Sequence, residues 1–476
     1  MVFTSVLFLL VFLPLVLLLY YFAPHRYKNG VALGASLLFY MWGAPAFFWL
    51  LIGLLIANFY LVKSMHQSTN AKLRHWLLVG SLSINLGVLA YFKYANFFVE
   101  NVNALFPYFG FSSINWVAVA LPIGISFFTF QSITYTLDVY WKRHVPLDKI
   151  SDYLLYILLF PQLIAGPIIR FSTIAGEIKD RTHNFNSDFR LNGVYIFVIG
   201  LAKKVLIANQ VGEQVDLIFA QGDSLSTYAS WIGIIAYSIQ IYFDFSGYSD
   251  MAIGLGRILG FNFPENFKNP YTAESITDFW RKWHITLGAF MRDYLYIPLG
   301  GNRSGVPLRN YLNLVIVFLL SGLWHGASWN FVIWGAWHGV FLTLERAFLN
   351  AWLQKVPKLL RLFYAYLVVL IGWVFFRADT LPQAYNYLTT MFGGSAPAAA
   401  QPVGYEVDFY LFLALGILFS IITLFKFGKK METFFFYTKY SVSSHLALSF
   451  FSLLIFIISL GYVASSGFNP FIYFRF

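Results

Sequence analysis

Uninterrupted apolar runs of about 20 residues recur along the chain, and short polar loops separate them. Residues 76–92, 409–425 and 446–465, for example, contain no Asp, Glu, Lys or Arg. A run of about 20 such residues forms a helix that spans the hydrocarbon core of a bilayer. Charged residues make up only 11% of the 476 residues, against about 25% in soluble domains. The chain is therefore a polytopic membrane protein, and a soluble enzyme, a disordered protein and a DNA-binding domain are excluded.

The apolar runs predict an all-α fold with about 11 to 13 membrane segments, including re-entrant pieces. Clear candidates for spanning helices are 2–22, 76–92, 116–140, 191–211, 224–243, 329–348, 359–376, 409–425 and 446–465. Shorter or interrupted candidates are 31–43, 46–62, 153–169, 247–263 and 308–323. Because the sequence shows no internal repeat and no appended soluble domain, residues 1–476 are predicted to form one integral membrane domain.

The distribution of basic residues predicts how the chain is oriented. Loops 23–29, 63–75 and 141–152 are rich in Lys and Arg, and such loops stay in the cytoplasm. The stretch 377–408 holds three acidic residues and a single Arg, so it is predicted to lie outside, together with both chain ends. The formal net charge of +11 thus reflects orientation in the membrane, and no nucleic-acid partner is predicted.

Residues 244–309 interrupt the apolar pattern with a dense set of charged residues. Charges at membrane depth are tolerated only against protein or a water-filled cavity. One interpretation is a large cytoplasmic loop, and the other is a funnel floor made of re-entrant and amphipathic pieces. We favour the second, because glycines such as Gly247, Gly256, Gly288 and Gly301 allow the sharp turns that it needs.

Three of the nine histidines, His284, His325 and His338, stand apart from the six that lie in or beside polar loops. His325 and His338 lie in uncharged apolar sequence, where an ionisable group is costly and indicates a functional site. The alternative is a neutral imidazole that is hydrogen-bonded within the helix bundle. Each lies in a Trp-His-Gly triplet, in which a Trp such as Trp324 can fix the imidazole rotamer and exclude water. Along a continuous helix the two histidines would be about 20 Å apart, so they need not share one site.

Several familiar catalytic signatures are absent from the sequence. There is no Gly-x-Ser-x-Gly elbow and no His-Glu-x-x-His, which argues against a fused serine esterase and a zinc protease. Cysteine is absent as well, so cysteine-ligated metals are excluded, and no metal site is predicted. The glycine-rich stretch 300–305 could hold phosphate through its backbone amides, but a plain turn is the simpler account of these residues.

Motifs over nearly the whole chain resemble the membrane-bound O-acyltransferase superfamily. The central block, 242–339, contains Tyr-Phe-Asp-Phe-Ser-Gly-Tyr-Ser-Asp, Phe-Trp-Arg-Lys-Trp-His and Gly-Leu-Trp-His-Gly-Ala. Further matching stretches are 121–127, 160–170, 265–271, 292–303 and 468–476. Among the branches of this family, the chain is most similar to the bacterial proteins that serve alginate O-acetylation.

The resemblance implies a ring of membrane helices around a thinned centre, with a tunnel that holds the site. It implies that His325 is the essential catalytic histidine and that His284 is a second important one. His338, Trp324, Asp244 and Asp250 are then expected to support the site. Because a simple topology places His325 near the outer face while an acyl-CoA donor is cytoplasmic, re-entrant segments are needed to bring the two together.

The reaction implied by the resemblance moves acetyl from cytoplasmic acetyl-CoA to an extracytoplasmic polysaccharide, with an alginate-like polymer favoured over peptidoglycan or cellulose. A histidine can act there as a general base or accept the acyl group itself. The cations expected to attract the CoA phosphates are Arg281, Lys282, Arg292 and Arg303, although each could equally be a loop charge that sets orientation. No bound cofactor is expected.

The resemblance also implies a location and a partner. The chain is expected in a bacterial inner membrane, alongside a separate extracytoplasmic esterase-like (SGNH-type) acetyltransferase that acts on the polymer. Two other readings stay open: a transporter that moves an acyl carrier without making bonds, for which broken helices and intramembrane polar residues would also fit, and acyl transfer to a protein.

Overall fold

The computed structural model describes residues 2–303, 305–394, 407–437 and 440–472. Helices are the regular secondary structure of these ranges, which contain no strand, so the predicted all-α membrane fold is confirmed. Seven helices within them are long and apolar enough to cross a membrane: Pro45–Gln67, Ala71–Phe109, Ser187–Phe219, Pro307–His325, Lys358–Arg377, Val407–Leu424 and Val442–Ser465. The run 2–22, predicted to span the membrane, contains the shorter apolar helix Phe8–Phe22.

The chain divides into two compact units, Met1–Phe185 with Leu259–Phe263, and Asn186–Ile258 with Pro264–Phe476. The single-domain organisation, the ring of helices and the orientation in the membrane stay predictions. The end of the 468–476 motif lies outside the described residues.

The first unit is an assembly of eight α-helices. They are α1 (Leu13–Phe22), α2 (Lys28–Gly43), α3 (Phe48–Gln67), α4 (Ala71–Leu105), α5 (Ile125–Tyr140), α6 (Ile150–Leu158), α7 (Phe160–Leu163) and α8 (Phe171–Lys179). Two predicted spans differ from these bounds. The run 116–140 becomes helical only at Ile125, and 153–169 is divided between α6 and α7, where Pro161 occupies the first turn of the new helix.

A buried polar network ties four helices of the first unit together. The Asn58 side chain in α3 donates to the Tyr153 hydroxyl at 2.7 Å. Its carbonyl oxygen accepts from Ser81 at 2.6 Å and from Asn85 at 2.9 Å. Ser81 also lies 2.9 Å from the hydroxyl of Thr136 in α5. Because membrane-buried polar groups must find partners within the protein, this network fixes the packing of α3, α4, α5 and α6.

The second unit contains thirteen α-helices within the described residues. They are α9 (Ser187–Ala202), α10 (Asn209–Phe219), α11 (Thr227–Ile258), α12 (Ile276–Lys282), α13 (Ile285–Met291), α14 (Pro307–His325), α15 (Trp329–Leu344), α16 (Asn350–Leu353), α17 (Lys358–Arg377), α18 (Leu381–Met391), α19 (Val407–Ile421), α20 (Lys426–Tyr437) and α21 (Val442–Ser465). Short π-helical segments, Lys203–Ala208 and Glu345–Leu349, follow α9 and α15.

Helices α9 and α11 pack backbone against backbone at paired glycines. A Cβ atom on Gly200 would lie 2.6 Å from the carbonyl oxygen of Gly247, and a Cβ on Gly247 would lie 2.7 Å from that of Gly200. Only glycine permits so close an approach, which is typical of packed membrane helices. Gly247 therefore serves helix packing and not the sharp turn that the sequence suggested.

Helix α11 is continuous where the sequence predicted two separate segments, 224–243 and 247–263. Asp244 and Asp250 do not break the helix, because each is paired with a lysine of the neighbouring segment. Asp250 lies 2.6 Å from Lys203, and Asp244 lies 2.7 Å from Lys204. The predicted re-entrant region thus begins after Ile258, and its described helices are short.

Candidate active site

His325 is the last residue of α14, and the chain reverses directly after it. Gly326 has extended backbone angles, and α15 begins at Trp329. The ring of Phe331 occupies the space that a Cβ atom on Gly326 would fill. A larger residue at 326 would therefore displace the Phe331 ring or the turn that holds the imidazole. The glycine of this triplet thus allows the Phe331 ring to approach the turn closely.

The His325 imidazole is enclosed by aromatic rings. Its centroid lies 4.8 Å from that of Trp324, 5.0 Å from that of Trp334 and 5.2 Å from that of Phe376, all in edge-on arrangements. The side chain is buried. Trp324 thus restrains the ring and limits access of water to it, as its place beside the histidine indicated.

A narrow cavity, which we call the inner cavity, lies against the His325 ring. The residues that line it are Ile241, Phe245, Trp283, His325, Trp334, Trp373, Phe376 and Ile472. Its free volume is about 10 Å³, close to that of one water molecule. His325 is the titratable member of this apolar lining, so a reacting group that enters the cavity meets the imidazole.

His338 lies on the other side of Trp334 from the same cluster. Its ring centroid is 5.2 Å from that of Trp334 and 5.0 Å from that of Trp280. Neither ring nitrogen has a hydrogen-bond partner among the described residues, so the alternative of a hydrogen-bonded core histidine does not fit. Since the chain reverses after His325, both histidines contact Trp334, and the 20 Å separation expected for a continuous helix does not apply.

His284 lies between α12 and α13 in a left-handed backbone conformation, with φ of 44°. Its Nδ1 is 3.1 Å from Oδ1 of Asn266. That amide oxygen also accepts the backbone N–H of Thr286, at 3.3 Å, and its hydroxyl, at 2.8 Å. The Asn266 amino group donates to Ser249 at 3.0 Å, which fixes the orientation of the amide.

This arrangement determines which nitrogen of His284 carries the proton in the neutral ring. An amide oxygen can only accept, so the His284 Nδ1 that faces it is the donor. The Nε2 atom then has a free lone pair, and no hydrogen-bond partner lies near it among the described residues. His284 reaches the His325 cluster through two rings, Phe245 at 4.7 Å and Trp324 at 6.1 Å between centroids. The three histidines therefore belong to one aromatic cluster.

The two aspartates predicted to support the site have different neighbours. Asp250 pairs with Lys203 in a partly exposed ion pair. Asp244 and Lys204 are both buried, and Asp244 also accepts the backbone N–H of Ile472 at 2.9 Å. Asp244 thus connects α11 to a residue that lines the inner cavity, and Asp250 does not make this connection.

The cations predicted to bind the donor differ in their present partners. Lys282 pairs with Asp278 at 2.8 Å, and Arg292 pairs with Asp293 at 2.7 Å. Arg281 and Arg303 are exposed.

A second and larger cavity, which we call the vestibule, lies at the ends of α14 and α17. It has a volume of about 230 Å³. Its polar lining includes Gln240, Ser328 and Asp379. It also includes an ion pair, in which Nη2 of Arg377 lies 2.7 Å from Oδ1 of Asp216. Phe376 and Ile472 line both this vestibule and the inner cavity. The two spaces thus share a wall.

Sequence reasoning missed Asn266, Lys203, Lys204 and the cavity-lining segment at Ile472. The two lysines could have been found, since they lie in the apolar run 191–211 and an ionisable residue in such a run indicates function. Asn266 lies within a family-like motif but carries no charge that would single it out. The role of Ile472 depends on tertiary packing that no local pattern contains.

Comparisons with known proteins identify the family of the chain. The membrane-bound O-acyltransferase family matches residues 148–376, which include His284, His325 and His338. The chain is 45% identical over 395 residues to the probable alginate O-acetylase AlgI of Azotobacter vinelandii, covering 82% of this chain and 78% of the relative. It is 44% identical to the protein of the same name from Pseudomonas aeruginosa, covering 82% and 75%. The peptidoglycan O-acetyltransferase of Helicobacter pylori is 38% identical, with 83% and 80% covered.

Proposed function

Because the chain belongs to the membrane-bound O-acyltransferase family and is a multi-pass membrane O-acetyltransferase, we propose that it takes acetyl from cytoplasmic acetyl-CoA and delivers it across a bacterial inner membrane. The acetyl group is destined for hydroxyls of an extracytoplasmic polysaccharide. The observation that carries this proposal is the buried His325 imidazole, which faces a cavity with room for only a small group. Even an acetyl group requires this cavity to widen, and a long acyl chain would require it to widen much further, so the cavity disfavours fatty acylation of a protein.

His325 is the proposed catalytic residue, in one of two roles. As a general base, its imidazole takes the proton of an attacking hydroxyl while the C–S bond of the thioester breaks, and the departing CoA sulfur receives that proton. As a nucleophile, its ring nitrogen forms a C–N bond to the acetyl carbon while the C–S bond breaks and CoA leaves as the thiolate. The hydroxyl then attacks the same carbon, the C–N bond breaks, and the hydroxyl proton passes through the imidazole to the CoA thiolate. The aromatic enclosure supports either role, because it keeps water from the reacting acyl group.

His284 is proposed to assist from the same cluster. Its Nδ1 is engaged by Asn266, so the free Nε2 can accept a proton or a hydrogen bond from a reacting group. Trp324 connects the two histidines. His338 contacts only rings and a glycine among the described residues, and we assign it a packing role behind Trp334.

On the donor side, Arg281, Lys282, Arg292 and Arg303 remain the proposed contacts for the CoA phosphates. The guanidinium group suits phosphate oxygens because it can bind them in a bidentate manner. Lys282 and Arg292 would have to exchange their present carboxylate partners, Asp278 and Asp293, for the ligand. We therefore expect the individual contributions of these two residues to be small.

On the acceptor side, we propose an alginate-like polysaccharide, since relatives named alginate O-acetylase match most of this chain. The relative named peptidoglycan O-acetyltransferase makes peptidoglycan the second candidate. We further propose that a separate extracytoplasmic esterase-like acetyltransferase docks near the vestibule and transfers acetyl to the polymer. In the described residues, the stretch that begins at Arg377 and is predicted to lie outside contributes only one short helix, α18.

Thioester cleavage by purified protein tests this proposal. Wild-type protein in liposomes, given acetyl-CoA labelled in the acetyl group, is expected to release CoA thiol, whereas His325→Ala is expected not to. A transporter would move label without cleaving the thioester. Intact acetyl-CoA after full exposure to folded wild-type protein, with and without polysaccharide and partner, would rule out the enzymatic proposal.

A further inference from the structure

The inner cavity and the vestibule are separated by two apolar side chains. Phe376 and Ile472 are the residues that line both spaces. Both are buried, with 5% and 7% of their surface exposed. On the inner side the Phe376 ring is 5.2 Å from the His325 ring, and on the outer side the lining is polar, with Arg377 and Asp216. Phe376 and Ile472 therefore lie on the direct route between His325 and the vestibule.

Ile472 is held in this wall through its backbone and not only by packing. Its N–H donates to one carboxylate oxygen of Asp244 at 2.9 Å. The other carboxylate oxygen lies 2.7 Å from the ammonium of Lys204, and the same ammonium donates to the carbonyl oxygen of Pro470. One buried ion pair thus satisfies both an acceptor and a donor of the segment 470–472.

The physical setting makes this attachment sensitive to the loss of either charge. Lys204 and Asp244 have only 3% and 1% of their side chains exposed, and a buried charge without its partner is strongly unfavourable. Lys204 belongs to the π-helical segment Lys203–Ala208, a distortion that is frequent at functional sites. The pair therefore fixes segment 470–472 against α11 and the π-helical segment.

We propose that Phe376 and Ile472 form an apolar barrier between His325 and the vestibule, and that Lys204 and Asp244 are positioning residues that hold Ile472 in it. The barrier keeps water of the vestibule from hydrolysing an acyl group at His325, and its displacement admits the acceptor. This role rests on the proposed acetyl transfer, but the closed barrier itself is a property of the structure that can be measured without activity.

Thiol accessibility tests the barrier, because the chain contains no cysteine. Ile241→Cys places a thiol in the inner cavity, which we call the inner thiol. Ser328→Cys places a thiol in the vestibule, which we call the vestibule thiol. In otherwise unchanged protein, a charged methanethiosulfonate applied to the vestibule face is expected to modify the vestibule thiol much faster than the inner thiol. Adding Ile472→Ala is expected to raise the modification rate of the inner thiol by about tenfold or more, as a local opening would. The rate of the vestibule thiol should stay unchanged.

Two neighbouring ion pairs provide matched variants, because both join α11 to the π-helical segment Lys203–Ala208. Asp244→Asn removes the charge that supports Ile472 and is expected to raise the modification rate of the inner thiol as Ile472→Ala does. Asp250→Asn removes the neighbouring pair with Lys203, which makes no described hydrogen bond or ion pair with segment 470–472, and is expected to leave that rate unchanged. Ile472→Phe, which enlarges the barrier, is expected to lower the rate. An unchanged rate at the vestibule thiol verifies that each variant is folded.

Activity provides the second measurement. With acetyl-CoA, Ile472→Ala is expected to raise the ratio of hydrolysed acetyl to transferred acetyl, whereas a merely structural defect would lower both products together. Equal modification rates of the inner thiol in the wild-type background, Ile472→Ala and Asp244→Asn would overturn the barrier, even if His325-dependent transfer is present. If no variant releases CoA while the two thiols are modified at the expected rates, the barrier is supported and the proposed reaction is overturned.

Discussion

The two compact units each bury a cluster of polar side chains, and the clusters differ in what surrounds the polar atoms. In the first unit, the Asn58 amide bonds to Tyr153, Ser81 and Asn85, at distances between 2.6 and 2.9 Å. In the second unit, the His325 and His338 rings are enclosed mainly by indole and phenyl rings. Both clusters lie among apolar helices, but only the second borders a cavity among those described.

This difference distinguishes a structural cluster, which stabilises the fold, from a chemical cluster, which can take part in a reaction. Hydrogen bonds among neutral groups satisfy a buried amide and leave it no capacity for reaction. Aromatic enclosure restrains an imidazole without using its lone pair, and it keeps water away. Burial of a polar residue in a membrane protein therefore does not by itself indicate a catalytic site. What indicates one is a titratable group that is held by rings and open to a cavity.

The largest expected effect is at His325. His325→Ala and His325→Gln are expected to lower acetyl transfer by about 10²-fold or more, since a base or nucleophile contributes about 10²–10⁴-fold. Membrane abundance and thermal stability should stay near those of the wild type. Labelled acetyl transfer per folded molecule is the measurement. A stable His325→Ala variant with normal transfer would remove His325 from the chemistry and promote His284 or His338.

In the first unit, by contrast, a substitution in the polar cluster is expected to lower stability and to leave the transfer rate per folded molecule unchanged. Asn58→Ala leaves the partners of the amide unsatisfied, which costs about 1–3 kcal/mol of stability. Thermal denaturation in detergent should show this loss, while transfer per folded molecule stays near the wild-type value. Ser81→Ala, which removes only one of the donors to Asn58, should show a smaller loss. If Asn58→Ala lowers specific activity as strongly as His325→Ala does, the distinction between the two clusters fails.

The expected effect of substituting Asn266 lies between those at His325 and Asn58, because Asn266 orients His284 through a hydrogen bond. Asn266→Ala is expected to lower the transfer rate by about tenfold, the equivalent of one hydrogen bond of about 1.4 kcal/mol. In a His284→Gln background the same substitution should have little further effect. Rates from the double-mutant cycle check this coupling. Independent, additive losses would show that Asn266 does not act through His284.

The smallest effect is expected at the cations of the central block. Lys282→Ala removes a partly exposed ion pair, and such pairs contribute about 0–1 kcal/mol. We expect KM for acetyl-CoA to rise by no more than about threefold, with kcat unchanged, as for loss of a uniform binding contact. Arg281→Ala, without a carboxylate partner to lose in the described ion pairs, serves as the comparison. A large fall in kcat would place Lys282 inside the chemical cluster.

The sequence could predict the helical membrane fold and the histidines of the site, because each depends on local composition. Runs of apolar residues mark spanning helices, and His325 stands out in such a run. The continuity of α11 could not be predicted from local windows. Its aspartates Asp244 and Asp250 are compatible with a buried helix only because two lysines pair with them across helices.

The convergence of the histidines could not be predicted either. His325 and His338 are brought to one Trp334 by a reversal after Gly326 that looks like ordinary apolar sequence. His284 joins them through Phe245 and Trp324, which lie in separate motifs of the chain. Local spacing fixes distances only within a helix, whereas this site is assembled from α11, α14, α15, α17 and the segment between α12 and α13.

The measurement that tests the account most directly is sided acetyl transfer in sealed proteoliposomes. Labelled acetyl-CoA is placed on the face predicted to be cytoplasmic, and the polysaccharide and the partner acetyltransferase are placed on the other. Wild-type protein is expected to produce labelled acetyl esters on the polymer only when the partner is present, and His325→Ala is expected to produce essentially none. Asn58→Ala is expected to retain transfer per folded molecule. Undiminished ester formation by His325→Ala, or ester formation only when acetyl-CoA and polymer share one face, would contradict the account.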